Sequence, residues 1–345
     1  MKRIYYLTGC SLLGVGLIFL LYIMAAKANS RPNGFIRLFP PHRTTPVKIL
    51  DLQYDSYYFA GGTGQHVYVG NYSVPARVLV VNHALTDTQQ LQLALVDRNK
   101  LVRVSSVLTV DSPDIYMLEG QTPTLLYGTL PSGLLHRVPD SIHFIASQPL
   151  SPTSFVIRVF SDRLQQNILA KQVSEAPAVR PAPEVLEKQL DGLFCTDGML
   201  YYERDPARLV YTYFYRNQFI CLDTNLKVLN RYRTIDTNSH VQISVSALPS
   251  KGASTISAPP VTVNRKSCIA GDRLYVNSGL LANNEDKKTF DRWSVIDVYS
   301  LTNGKYEFSF YLPDYQDKKM RSFRVFDHTL VALYDHYLYS FRLNF

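Results

Sequence analysis

The stretch that decides the fold is Phe219–Tyr232, FICLDTNLKVLNRY. It reads as an apolar strand, a polar reversal that holds a single leucine, and a second strand of alternating character. Two other stretches have the same form: Arg77–Leu93, RVLVVNHALTDTQQLQL, and Ser294–Phe310, SVIDVYSLTNGKYEFSF. An apolar strand followed by an exposed alternating one is the pattern of an outer hairpin in a sheet whose middle is buried. Upstream of the first stretch lies Gly192–Tyr215, GLFCTDGMLYYERDPARLVYTYFY, in which Asp197-Gly198 is a hairpin turn signal. Gly192–Arg233 therefore holds about four strands in about 42 residues, the content of one blade of a β-propeller.

Between these anchors the chain keeps the same rhythm. From Pro46 on there is almost no helical periodicity, and the 24 Tyr and 17 Phe, with Val, Ile and Thr, favour strands. Short runs bounded by turn residues recur, beginning with Ser56–Ala60, His66–Tyr72, Arg77–Asn82 and Gln90–Val96. At roughly 40–50 residues per blade the domain accommodates about six blades, placed near 54–100, 101–140, 141–188, 189–245, 246–313 and 314–345. The last has strands at Ser322–Asp327, Thr329–Tyr334 and Tyr337–Leu343 but no outer strand. Val47–Gln53, VKILDLQ, is expected to fill that place and to remove an open edge by pairing the two ends of the chain. Ser174–Gly192, rich in Pro and Ala and then briefly helical in character, reads as a linker or a surface excursion. A pair of sandwiches split there is the alternative architecture.

The N-terminal thirty residues, MKRIYYLTGCSLLGVGLIFLLYIMAAKANS, carry three overlapping signals. Leu7–Cys10 resembles a lipobox and Ala26-Lys27-Ala28 a signal-peptidase site, while Ile4–Ala26 is 23 residues without a charge. A bilayer needs about 20 residues of apolar helix, whereas a cleaved signal has only about 7–15. Length therefore favours a retained transmembrane helix, and Cys10 sits too early in the run for a lipidated cysteine. Lys2 and Arg3 before the run have the form of an export start, so the large domain is placed outside the cytoplasm. The expected organisation is an anchor (1–28), a linker (29–45) and an all-β propeller domain (46–345), single-pass in the inner membrane with the C-terminal domain periplasmic.

Composition narrows function without naming it. The net charge is +8 with the bases scattered, so there is no nucleic-acid footprint. Beyond Cys10, the cysteines Cys195, Cys221 and Cys268 lie in apolar strand-like runs and read as small buried hydrophobes. There is no G-x-S-x-G, no H-E-x-x-H and no phosphate loop with its lysine. Gly61-Gly62-Thr63-Gly64 lies between two strands with no following helix, so it reads as a hairpin loop. No cofactor and no metal are expected.

Three features are candidate binding elements. In Asp236-Thr237-Asn238-Ser239-His240, strand alternation would put Asp236, Asn238 and His240 on one face as a polar ladder. The loop Leu281–Trp293, LANNEDKKTFDRW, offers Glu285, Asp286, Lys287, Lys288, Arg292 and the only tryptophan, Trp293; Trp and Arg are enriched where partners bind. As a solvated insertion, the segment Asn283–Lys288 should be replaceable without loss of thermal stability. The tyrosines Tyr211, Tyr213 and Tyr215 share a strand face, either for packing between blades or for a ligand. Asp223, Asp297 and Asp327 read as turn residues.

The stretches His66–Gln89, Gln189–Lys227 and Thr234–Ser278 (TIDTNSHVQISV…SAPPVTVNRKSCIAGDRLYVNS) also resemble a family of uncharacterised, membrane-anchored bacterial proteins. Their extracytoplasmic part is similar to TolB-like six-bladed propellers. The resemblance covers most of the chain after the anchor. It implies the propeller architecture and brings no catalytic residues. The expectation is a membrane-anchored binding module for an unknown protein or small ligand; the alternative is a lyase or hydrolase working at the central mouth of the propeller.

Overall fold

The computed structural model describes residues 12–21, 33–96, 105–138, 142–174, 178–248 and 253–345. Antiparallel four-strand meanders follow one another along the chain. The first two are Tyr57–Gly62, His66–Asn71, Arg77–Asn82, Thr88–Gln92 and Val107–Asp111, Asp114–Glu119, Thr124–Thr129, Leu134–Val138. A parallel bridge between Gly61 and Val110 joins them, and the short strand Ala94–Leu95 adds to the outer edge, giving one nine-stranded sheet. Four-stranded sheets follow over Ala146–Ala182, Gly198–Arg233 and Asn264–Pro313, with a two-stranded hairpin (Ser244–Leu248, Ala253–Ala258) before the last of these. The final sheet is Met320–Phe326, Thr329–Tyr334 and Tyr337–Leu343, completed by Thr44–Asp51.

That completion is the anticipated pairing of the chain ends, set three residues earlier than Val47. Thr44 lies opposite Leu343 and Asp51 opposite Tyr337. The Asn344 N–H donates to the Arg43 carbonyl at 3.0 Å, and the Arg43 guanidinium lies 4.8 Å over the Phe308 ring. The ladder therefore continues into side-chain packing on the neighbouring sheet.

Middle strands are buried on both faces, which is why Phe219–Leu222 reads as an unbroken apolar run and Val295–Tyr299 as one broken only by Asp297. The core is accordingly a series of layers between sheets. One layer joins Val210, Phe219 and Cys221 to Leu274, Val276 and Leu301; another joins Val156 and Leu169 to Leu209, Leu222 and Leu226. The single leucine in each repeated reversal now has a physical role. Leu85, Leu226 and Leu301 are 1–3% exposed and pack onto the adjacent sheet. Burying one such side chain contributes about 1.5–3 kcal/mol, enough to favour one reversal geometry. Leu85 and Leu226 hold positive φ to achieve it.

Several expectations are corrected. Asp197-Gly198 does not reverse the chain; the strands Gly198–Glu203 and Arg208–Tyr213 turn at 204–207. Gly198 is instead a close approach, since a Cβ there would lie 2.5 Å from the Thr212 carbonyl oxygen. Gly61 and Gly62 are strand residues rather than loop, and a Cβ on Gly61 would meet the Val110 oxygen at 1.9 Å. Ser174–Gly192 is no linker between sandwiches. Its Val179–Ala182 is the outer strand of a sheet, and Val185 and Leu186 are buried.

Residues 12–21 are helical and expose Leu12, Leu13, Leu17 and Phe19, while the rest of the expected anchor, with Cys10 and Ala26–Ala28, lies outside the described residues. No helix among the described residues is long and apolar enough to cross a membrane.

Candidate functional site: the central channel

The first strand of each meander faces a common centre. Two cavities lie along it, of about 390 and 420 Å³, and Ala60, Thr109, Gln148, Tyr201 and Arg324 line both, so they form one channel with two mouths. Backbone geometry puts these residues there, because side chains alternate along each inner strand and every second one points inward.

The two mouths differ in charge. One gathers Asp111, Glu203, Arg204, Asp205 and Asp327 beside the Gly61–Gly64 backbone. Its Arg204 is fully engaged, 2.8 Å from Asp111 and 2.9 Å from Asp114. Burial pushes the Glu203 carboxyl up, against opposing contributions from the Gly271 backbone and Arg208. Cys268 also lines this end, and burial pushes its thiol up to about 12.

The other mouth is lined by Lys266, Arg321 and Arg324, with Tyr57, Tyr58, Tyr72 and Tyr201, and by no carboxylate. Arg321 Nη1 donates to the Asp55 and Asp335 carbonyls, each at 2.6 Å. Arg324 Nη1 donates to the Phe323 carbonyl at 3.1 Å, and its guanidinium lies 5.1 Å over the Tyr201 ring. Desolvation, then Arg324 and Arg321, holds the Lys266 amine below the ordinary lysine value. Tyr58 and Tyr72 stack at 4.2 Å on one wall.

The residues singled out in the sequence lie elsewhere, in two neighbouring segments bridged by Asn33, whose carbonyl accepts from the Thr237 hydroxyl at 2.9 Å and whose side chain donates to the Leu281 carbonyl at 2.8 Å. Asp236, Asn238 and His240 are not on one strand face; 234–243 is an irregular turn after the strand Val228–Arg233. Asp236 is 6% exposed and folds inward, accepting from the Thr234 hydroxyl at 2.6 Å and the Asn238 N–H at 2.9 Å. Burial pushes its carboxyl up. His240 is exposed and its Nδ1 meets the Ser239 hydroxyl at 3.1 Å. No group of three potential metal ligands exists among the described residues.

The loop Leu281–Trp293 is not a solvated insertion at its start. It receives the segment 33–39. The Asn283 N–H donates to the Phe35 carbonyl at 2.8 Å, and the Asn284 side chain exchanges hydrogen bonds with the Arg37 backbone at 2.8 and 2.9 Å. The Arg37 side chain passes inside. It donates from Nε to Asp297 at 2.7 Å, from Nη2 to the same carboxylate at 3.1 Å and from Nη1 to Glu285 and the Leu280 carbonyl. The Arg37 and Glu285 side chains are wholly buried. Burial alone would disfavour the Arg37 charge; Asp297 and Glu285 outweigh it and hold its pKa above the ordinary arginine value. Asp297 is thus a strand residue inside this clasp, not a turn residue.

The remainder of that loop is exposed except at Thr289 and Phe290, of which Phe290 is buried. Asp286 caps the short helix Lys287–Arg292 by accepting from the Thr289 N–H at 2.9 Å, and Lys287 pairs with Asp291. Trp293 begins the next strand but is 42% exposed, edge-on to Tyr311 at 6.0 Å. Tyr211 and Tyr213 pack between sheets, and Tyr215 is half-buried. Cys195, Cys221 and Cys268 are buried and unpaired by disulfide.

Neither the clasp nor the channel stood out in the sequence. Arg37 falls in the segment 29–45, which reads as a linker. Among the channel cations, Lys266 is 55 residues from Arg321, and none of the three lies in a motif.

No protein-family model matches the chain, and no curated protein matches it. Solved structures do. A member of the DUF4221 family from Bacteroides vulgatus superposes with a TM-score of 0.52 at 11% identity, over 88% of this chain and 99% of that one. An inactive variant of virginiamycin B lyase from Staphylococcus aureus, with quinupristin, gives 0.48 at 10% identity, over 87% and 99%. BamB from Moraxella catarrhalis gives 0.41 at 10% identity, over 87% and 98%. At such identities the likeness concerns the fold alone. The ring of meanders and the paired chain ends, with the likeness to the DUF4221 structure, make this an all-β protein of the β-propeller class.

Proposed function

We propose that the protein is a six-bladed, membrane-anchored propeller of the TolB-like kind, working outside the cytoplasm as a binding module without catalysis. The blade count takes the nine-stranded sheet as two blades joined at Gly61 and Val110. The anchor rests on the uncharged run Ile4–Ala26. The observation that carries the binding reading is the channel itself: one mouth presents cations that no carboxylate answers among the described residues, beside an aromatic wall. No histidine lines either cavity, and the channel thiol of Cys268 is held in its protonated, unreactive form. The exposed residues Asp286, Lys287, Lys288, Arg292 and Trp293 form a second surface open to a partner, with Asn238 and His240 in the neighbouring segment.

The test is capture from membranes by the full-length protein, followed by mass spectrometry. Capture of one partner or ligand that is lost on Arg324→Glu supports the channel. Retention by Arg324→Glu, with loss on Lys288→Glu, moves the binding surface to the helix Lys287–Arg292. A mature N-terminus at Asn29 would show that the apolar run is cleaved rather than retained.

One observation favours the enzymatic alternative. Glu203 Oε2 is buried without a partner among the described residues, and burial raises its carboxyl in the direction a general acid requires. If the protein is a lyase or hydrolase, Glu203→Gln abolishes turnover while leaving the fold intact.

A further inference from the structure

We propose that the mouth lined by Lys266, Arg321 and Arg324 is a binding site for a small anion bearing two or more negative charges on phosphate or carboxylate oxygens, with room for a flat apolar part. This deepens the reading of the channel as a binding site and rests on it.

Three cations line one cavity, and none of them makes an ion pair among the described residues. Several arginines elsewhere meet carboxylates, Arg37 with Asp297 and Glu285, Arg204 with Asp111 and Asp114, Arg273 with Glu307, whereas the buried Arg216 lies over the Tyr213 ring instead. Like charges brought together without a counter-charge repel, and the repulsion is larger where solvent is partly excluded. Desolvation first, and then the charges of Arg324 and Arg321, lower the proton affinity of Lys266.

The geometry holds the cations in place. Arg321 is fixed by the Asp55 and Asp335 carbonyls and Arg324 by the Phe323 carbonyl and the Tyr201 ring, so the site is organised before a ligand arrives. Lys266 has no partner among the described residues and is exposed to the cavity, free to close on the anion. The cavity volume of about 420 Å³ is that of a small-molecule site. Its wall carries the stacked Tyr58 and Tyr72, which suits an apolar or aromatic face beside the charged group. Guanidinium groups match phosphate and carboxylate geometry equally, so the shared chemistry is the multivalent oxyanion.

The experiment is titration calorimetry on the full-length protein with pyrophosphate, citrate and phenyl phosphate, each against sodium chloride at equal ionic strength. Pyrophosphate or citrate is expected to bind where chloride does not; which of the two binds more tightly identifies the oxyanion. Phenyl phosphate is expected to bind more tightly than inorganic phosphate titrated under the same conditions, because the tyrosine wall receives its ring. Lys266→Met should weaken binding by about tenfold and Lys266→Glu by more, the loss expected for one charged hydrogen bond. Lys288→Met, remote from the channel, should bind as the natural protein does. Absence of binding by all three anions overturns the proposal. So does equal affinity in the natural protein and Lys266→Glu, with both shown folded by circular dichroism. Anion binding without any partner captured from membranes would retain this site while removing the protein-binding reading.

Discussion

The clasp at Arg37 and the cationic mouth at Arg324 each gather charge around an arginine, and they resolve it in opposite ways. In the clasp every donor of Arg37 that enters the fold meets an acceptor, and two carboxylates neutralise it. At the mouth, Lys266, Arg321 and Arg324 meet only carbonyls, rings and the open cavity. A closed set of charges fixes structure and leaves nothing for a ligand to do. An open set costs the folded protein some repulsion and leaves an incoming anion something to relieve. The two sites should therefore respond to mutation in different observables, stability for one and binding for the other.

The sharpest separation comes from cutting the chain. Deletion through Asp51 removes both the clasp segment and the strand that pairs with Tyr337–Leu343. It exposes an unpaired edge, and aggregation on size-exclusion chromatography is the expected result. Deletion through Arg31 keeps both and should leave a soluble monomer with an unchanged melting temperature.

Breaking the clasp alone is the next largest effect. Glu285→Ala leaves the buried Arg37 with one carboxylate instead of two and also removes the acceptor for the Tyr311 hydroxyl. Loss of a partner from a buried pair costs about 3–5 kcal/mol, read as a lowered denaturation midpoint. Replacing Asn283–Lys288 by a Gly/Ser link should cost as much, because it deletes the same carboxylate together with the Asn284 contacts. A replaced loop that melts with the natural protein would show that segment 33–39 contributes nothing to stability.

These effects bear on what the sequence could disclose. The repeated strand–reversal–strand stretches lie in the third and fourth strands of their sheets, as their buried-then-alternating pattern required, because that pattern reports local periodicity. The completion of the last sheet was legible for the same reason: a three-strand remainder at one end and an isolated strand at the other. The clasp was not legible. Arg37 and Glu285 are 248 residues apart; Arg37 is a lone base between Ile36 and Leu38, and Glu285 an ordinary acid in a polar stretch. The loop read as a solvated insertion because Asn, Glu and Asp have no apolar surface to bury, yet a buried arginine recruits that chemistry. The channel was hidden similarly, since inner strands alternate and convergence of Lys266, Arg321 and Arg324 depends on how sheets are arranged, not on spacing. Asp197-Gly198 misled because glycine serves close backbone approach as well as turns.

At the mouth, stability should barely move. Lys266→Met removes an unpaired, exposed charge, and the change at neutral pH should lie within about 0.5 kcal/mol, with the sign toward stabilisation. A loss as large as that of Glu285→Ala would mean that Lys266 is held by contacts like those of the clasp, and would erase the distinction between the two sites.

The smallest effect, and the finest test of the comparison, is in pH. Lys266 is held below its ordinary value of 10.5 by desolvation and by Arg324 and Arg321 on the adjoining inner strand. The other titratable groups with resolved shifts on the cavity wall, Tyr58, Tyr72 and Tyr201, are pushed upward by burial and stay neutral as Lys266 loses its proton. For a base whose pKa is lowered on folding, the unfolded chain binds more protons between the folded and unfolded values, so folding stability rises with pH across that window. Below it, the charged amine costs the folded state its full repulsion; above 10.5 that cost is gone. The small advantage of Lys266→Met should accordingly be greatest near neutrality and fade as pH rises toward 10.5. A bound multivalent anion should reverse the trend, because it favours the protonated amine: its affinity should fall with pH starting below the ordinary lysine range, and binding in that window should take up a proton, measurable as buffer-dependent enthalpy. No such protonation is expected on perturbing the clasp, where both carboxylates already neutralise Arg37. If Lys266→Met tracks the natural protein at every pH and anion binding moves no proton, the mouth is electrostatically as quiet as the clasp, and Lys266 is only a solvated surface charge.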